Sequence, residues 1–145
     1  MLGAFGLSQK LPGLPNWVAS RLAHHIKVYR EQVRPFIHAA EFYRLTDQPR
    51  RDGTGERWCA FQYSLPDEDR HLLFVFRLPG AEKEGRIRLS GLSLAGDYSI
   101  LGLEGEIDTQ KSGRELTEEG LLFQDFPEEW SMVISVSIIN HSALT

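Results

Sequence analysis

The chain has 145 residues, enough for one ordinary domain with a small appendage and enough to bury a core without a disulfide or metal staple. Sixteen basic and twenty acidic side chains give a formal net charge of −4, which argues against a general nucleic-acid binder, and a 41% hydrophobic content describes a globular chain. The one cysteine, Cys59, excludes an internal disulfide and a cysteine-rich zinc site, and no apolar run approaches the ~20 residues that span a bilayer.

Met1-Leu-Gly-Ala-Phe-Gly-Leu-Ser8 is apolar and glycine-rich, and reads as a buried strand or a loop with close backbone approach. Met1 to Leu14 carries no basic leader, so no signal peptide is read there and the expected setting is cytoplasmic. Leu11-Pro-Gly-Leu-Pro15 breaks the chain. Val18, Leu22, Ile26, Tyr29 and Val33 then recur at steps of three and four, which predicts a helix over about 16–34. Asn16 is the expected N-cap, and Pro35 marks a break or a new helical turn running through His38.

From Ala40 onward the segments become short and β-rich, separated by Pro, Gly and Asp. Strands are predicted at 41–45, 57–65, 72–78, 86–92, 98–103, 121–126 and 132–139. In the last, Met132, Ile134, Val136 and Ile138 share a core-facing side, while Val133, Ser135, Ser137 and Ile139 take the other. Ile87 and Leu89 point inward from their strand, and Leu72–Phe76 is apolar on both faces, as a covered central strand should be. Phe74, Phe76, Ile87, Leu89, Ile134, Val136 and Ile138 are the expected core. The fold class is therefore mainly β: an antiparallel β-sandwich over 40–145, preceded by a helical segment over 1–39.

A search for chemistry returns little. His24 and His25 project about 100° apart on a helix, whereas helical metal ligands want a spacing of four, and His38, His71 and His141 are scattered. The acidic runs at 67–69, 118–119 and 128–129 read as solvated turns rather than catalytic pairs, because a raised carboxyl pKa needs burial. Cys59 reads as a buried inert thiol, and no serine sits in a Gly-x-Ser-x-Gly elbow. No glycine pair completes a phosphate-binding loop. Neither catalytic residue, metal site nor cofactor is assigned. Trp17, Trp58 and Trp130, with Tyr43 and Tyr63, read mainly as packing groups; the alternative is sugar stacking, for which Trp58 and Trp130 are the candidates.

The order of several phrases carries a resemblance. Met1–Leu7 with Leu11, then Ile26-Lys-Val-Tyr-Arg30, Val33-Arg-Pro-Phe-Ile37 and Glu41-Phe-Tyr-Arg-Leu45, resembles the end of glycoside hydrolase family 36, the α-galactosidases and their relatives. Trp58, Phe61, Leu72–Arg77, Leu89-Ser-Gly-Leu92 and Gly113-Arg-Glu-Leu116 followed by Glu119-Gly-Leu121 continue it along essentially the whole chain. The resemblance implies that 1–39 is the last strand and helix of a catalytic (β/α)8 barrel, and that 40–145 is the C-terminal sandwich. It also implies that the retaining pair of aspartates lies on earlier barrel strands, so Asp47, Asp52, Asp67, Asp69, Asp97, Asp108 and Asp125 inherit no catalytic role. Ala4 and Lys10 depart from the more polar Asn and Asp of family members.

The expected role is a non-catalytic accessory domain packing on a barrel, with an independent carbohydrate-binding module as the alternative. The expected partner is that barrel, with neither nucleic acid nor membrane. The stripe on the helix 16–34, separated from barrel neighbours, is expected to fold back on its own sheet or to pair with a second copy.

Overall fold

The computed structural model describes residues 11–139, so Met1–Ser8 and His141, with the expectations placed on them, lie outside the described residues. The chain divides into two compact units, Met1–Ala40 and Glu41–Thr145.

In the first unit, helix α1 (Asn16–Val28) starts because the carbonyl of Pro15 accepts from the N–H groups of Val18 and Ala19, at 3.0 and 3.1 Å. Asn16 is thus the first helical residue and not the cap; Pro15, with its fixed φ, takes that place without any side-chain hydrogen bond. Pro35 offers no N–H to the carbonyl of residue 31, and the turn just before it widens into a π-helix over Tyr29–Val33. Helix α2 (Arg34–Ala39) then carries Pro35 in its first turn, where the missing donor costs nothing. The chain therefore winds on past Arg34 instead of breaking. Of the expected stripe, Val18, Leu22, Ile26 and Tyr29 are half-buried and Val33 is buried.

The second unit is an antiparallel β-sandwich. One sheet has six strands: β1 (Glu41–Arg44), β2 (Trp58–Leu65), β3 (Arg70–Arg77), β8 (Trp130–Ile138), β5 (Asp97–Gly102) and β6 (Asp108–Ser112), in that spatial order. The other pairs β4 (Gly85–Ile87) with β7 (Leu121–Phe123). Between them lies the core: Trp58, Ala60, Leu73, Val75, Tyr98, Ile100, Met132, Ile134 and Val136 from the large sheet, against Ile87, Leu89, Leu116, Leu121 and Phe123. The C-terminal strand β8 sits between β3 and β5, and its alternation runs as its sequence predicts.

Of the expected core residues, Phe74 is buried and Phe76 half-buried, but both lie outside the cluster between the sheets. Phe74 and Phe76 point away from the space between the sheets, onto the face carrying Phe42, Phe61 and Tyr63, where their rings pack edge-on at 6.0–6.4 Å. Five successive apolar residues in β3 hide the parity; Leu73 and Val75, opposite Gln62 and Ala60, are the inward pair. Strand β6 is absent from the sequence reading because Asp-Thr-Gln-Lys-Ser alternates nothing apolar. As an edge strand it pairs only with β5. The predicted strands at 86–92 and 121–126 are confined to Gly85–Ile87 and Leu121–Phe123.

The Gly113…Gly120-Leu121 phrase has a physical reading. A Cβ on Gly113 would stand 2.0 Å from the Ser93 carbonyl oxygen, and Gly120 holds φ +84° while capping a second π-helix over Glu115–Glu119. Leu116, between them, is fully buried.

Ile134 lies at the centre of this packing and Ser135, its neighbour, points to the opposite face. Ile134→Ala is expected to lower the stability of the sandwich by about 2–5 kcal/mol in urea unfolding, and Ser135→Ala to change it by less than about 0.5 kcal/mol. A near-zero loss at Ile134 would place it at the surface.

Candidate functional site

The most organised polar group in the sandwich is built on the β2–β3 hairpin. Pro66–Glu68 forms a single 3-10 turn, and Asp69 closes it in the left-handed region at φ 46°, a conformation that aspartate tolerates well. That tight closure sets Ser64 opposite His71 in the ladder, with both side chains directed inward. Strand alternation adds Gln62 on the same face.

These side chains form one hydrogen-bond chain. The Asp69 carboxylate accepts from His71 Nε2 at 3.0 Å and from the Tyr98 hydroxyl at 2.8 and 2.9 Å. With Nε2 donating, Nδ1 of the neutral ring is the acceptor, and the Ser64 hydroxyl lies 2.8 Å from it. Ser64 Oγ in turn accepts from Gln62 Nε2 at 2.7 Å. Gln62 reaches further, donating to the Ser90 carbonyl at 2.6 Å and accepting from the Ser90 N–H at 3.1 Å. The Tyr98 oxygen accepts from the Ser93 N–H at 2.8 Å. Every donor has an acceptor, so the network fixes the His71 tautomer.

Burial sets the electrostatics. His71 is 0% exposed, and desolvation holds its imidazole below the ordinary value, against an opposing pull from Asp69. Burial, and then the bond to Asp69, push the Tyr98 phenol up to about 12. Between β6 and β7, the Ser112 N–H and hydroxyl hold the carboxyl of Glu115, the first residue of the second π-helix, below the usual range.

Ser64, His71 and Asp69 have the connectivity of a nucleophile, base and orienting acid. They lack access. Ser64 is 2% exposed and its Oγ is bonded by Gln62, so no acyl group can approach it. Asp69, read from sequence as part of a solvated turn, is instead half-buried at its centre. The signal that marks the network is the polar pair Gln62 and Ser64 at inward positions of an otherwise apolar strand, each needing a partner.

The sugar-stacking candidates separate. Trp58 is 5% exposed, its indole N–H donates to the Glu82 carbonyl at 3.1 Å, and Phe123, Phe126, Gly85 and the Arg77 guanidinium occupy its surroundings. No open ring face is left there. Trp130 is 43% exposed at the start of β8. Trp17 is 73% exposed on α1. A groove of about 500 Å³ runs past Trp58, and four of its charged side chains, Glu56, Arg57, Glu84 and Arg86, are engaged internally. Glu56 accepts from the Trp58 N–H, Glu84 from Gln124, Arg57 donates to the Pro79 carbonyl and Arg86 to that of Glu119. Cys59 is buried, and desolvation raises its thiol pKa, which disfavours the nucleophilic thiolate.

If the network is structural, removing its acceptor should cost more than removing one donor. Asp69→Ala orphans the buried His71 Nε2–H and Tyr98 hydroxyl and is expected to destabilise by at least about 1–3 kcal/mol. Tyr98→Phe should cost about 0.5–1.5 kcal/mol. Equal, negligible losses in urea unfolding would mean that water replaces these bonds.

No protein-family model and no curated protein matches this sequence. Solved structures do. The GH36 α-galactosidase AgaB from Geobacillus stearothermophilus superposes with a TM-score of 0.73 at 22% identity, over 89% of this chain and 17% of its own. The α-galactosidase from Lactobacillus brevis gives 0.73 at 17% identity, over 94% and 18%. The galactosidase domain of the α-galactosidase–sucrose kinase AgaSK gives 0.68 at 21%, over 88% and 17%. This chain thus spans less than a fifth of the length of these relatives, and its fold is the fold of that portion of GH36 α-galactosidases.

Proposed function

We propose that this chain is the C-terminal accessory domain of an α-galactosidase-like glycoside hydrolase, packing on a catalytic barrel and stabilising it. The whole protein, on this reading, hydrolyses terminal α-galactosides by a retaining mechanism. The observation that carries the proposal is the lopsided coverage: about nine-tenths of this chain against 17–18% of each α-galactosidase. The residues present agree with it. Retention needs two carboxyl groups about 5–5.5 Å apart across a sugar. Among the described aspartates, Asp69 is committed to His71 and Tyr98 and Asp52 to Thr54, while Asp47, Asp67, Asp97, Asp108 and Asp125 are exposed.

A second reading, a carbohydrate-binding module, draws on the exposure of Trp130. Affinity electrophoresis in a galactan-containing gel separates the two. An accessory domain migrates unretarded; retardation abolished by Trp130→Ala favours sugar binding. Pairing of two copies through helix 16–34 belongs to the same set of proposals. The half-burial of its stripe reduces the apolar surface available for pairing, and sedimentation of wild type and Leu22→Glu tests it.

The accessory role makes two predictions. The purified chain should not turn over 4-nitrophenyl α-galactoside above a tag-only control. An antibody raised to 41–145 should detect, in the source cells, a protein several times the size of this chain or one that co-purifies with a barrel-containing enzyme. Turnover by the chain itself, or a free chain with no such partner, overturns the assignment.

A further inference from the structure

The connection from β4 to β5, residues 88–96, has no ladder of its own over Arg88–Gly96. Side chains hold it at two points, Ser90 through Gln62 and Ser93 through Tyr98. Both holds lead back to the Asp69–His71 pair, but by different routes. Tyr98 bonds Asp69 directly, whereas Gln62 connects through Ser64 and the ring nitrogen Nδ1.

We propose that His71 is a proton-operated latch on this strap, releasing Ser90 on protonation while Ser93 stays held. A proton on Nδ1 makes that nitrogen a donor to Ser64 Oγ, 2.8 Å away, where it had accepted the Ser64 hydroxyl proton. Ser64 Oγ then receives two donors, the ring and Gln62, and its own proton loses the Nδ1 acceptor. Gln62 cannot correct this by exchanging its amide ends. Its Oε1 faces the Ser90 N–H and its Nε2 the Ser90 carbonyl, so a flip opposes donor to donor and acceptor to acceptor. In a buried site that conflict is relieved by giving up the Ser90 clamp. The other route is undisturbed: Nε2–H still donates to Asp69, which still accepts from Tyr98.

The groups around the ring support this. Among the described residues, the titratable neighbours are Asp69 from the turn and Tyr98 from β5; β2 offers Gln62 and Ser64, and β8 places Val136 opposite His71. Burial lowers the imidazole pKa, so the folded ring is neutral at pH 7, whereas the unfolded chain protonates near the ordinary value of about 6.5. The unfolded state binds the proton first. Stability is therefore full above that pH and falls as the pH drops below it toward the folded value.

Residue-resolved amide exchange between pH 7.5 and the onset of acid unfolding tests the latch, with ring resonances reporting His71. The protection factor of Ser90, corrected for intrinsic rates, should fall at least about tenfold in step with His71 protonation, while that of Ser93 is kept. Tyr98→Phe should expose Ser93 at every pH and leave the pH step of Ser90 in place. Loss of protection at both serines together, a Ser90 amide indifferent to His71, or a ring that stays neutral until the domain unfolds overturns the proposal.

Discussion

The bond between Asp69 and His71 is the constraint on which this sandwich is arranged. A fully buried imidazole is neutral at pH 7 and must satisfy both nitrogens, one as donor and one as acceptor. Meeting that demand dictates the left-handed residue at the β2–β3 turn, the register that sets Ser64 opposite His71, and the identity of Gln62 two residues earlier. It also draws in β5 through Tyr98 and the irregular 88–96 segment through Ser90 and Ser93. A slip of one residue between β2 and β3 would turn Ser64 to the opposite face and leave Nδ1 unpaired. The polar chain therefore specifies register in a hairpin whose apolar residues alone leave it ambiguous.

The same strand carries the opposite problem at its other end. Arg77 is buried, one guanidinium nitrogen bonding the Phe126 carbonyl and another the Ala81 carbonyl, with the group lying 5.9 Å from the Trp58 ring centroid. Its Nε has no hydrogen-bond partner among the described residues. Backbone carbonyls and an indole face stabilise a cation less than a carboxylate does, yet they cost no second desolvated charge. Between His71 and Arg77 the inward positions are Leu73 and Val75. Strand β3 thus reads polar, apolar, apolar, polar along its inner face, and the polar ends draw the 88–96 and 79–81 connections against the sheet. Its remaining neighbour, β8, lies far along the sequence, so the centre of the sheet is closed by a long-range pairing.

What the sequence discloses follows from these pressures. Strand β8 is legible because one face is apolar and the other carries Ser135 and Ser137. Helix α1 is legible from its spacing, whereas the π-turn at Tyr29–Val33 is a local answer to Pro35 that no periodicity announces. In β3, apolar residues on both faces conceal that Phe74 and Phe76 leave the core between the sheets to Leu73 and Val75. Strand β6 is invisible because its pairing with β5 does not require apolar alternation. Asp69 looks like one of three turn carboxylates; only the hairpin length, which sets Ser64 across from His71, gives it partners. The polar network was present as Gln62, Ser64, His71 and Tyr98, but its meaning lies in a register the chain reveals only once paired.

The direction in which polar groups point bears on what such a domain can do. A catalytic serine needs an open Oγ, a base beside it and a place for the oxyanion; Ser64 has the base and lacks the opening. Glu56, Arg57, Glu84 and Arg86 along the groove past Trp58 are likewise turned to backbone and side-chain partners within the sandwich. In both places recognition chemistry has been spent on holding connections in position. Donors and acceptors satisfied in this way have little left for a ligand. Among the described residues, two sandwich aromatics depart from this pattern: Phe42 on β1, which still packs on Phe61 and Tyr63, and Trp130, exposed at the first position of β8 beside the Arg77 end of the core. The Trp130 ring, unlike that of Trp58, stands largely at the surface and contributes area there.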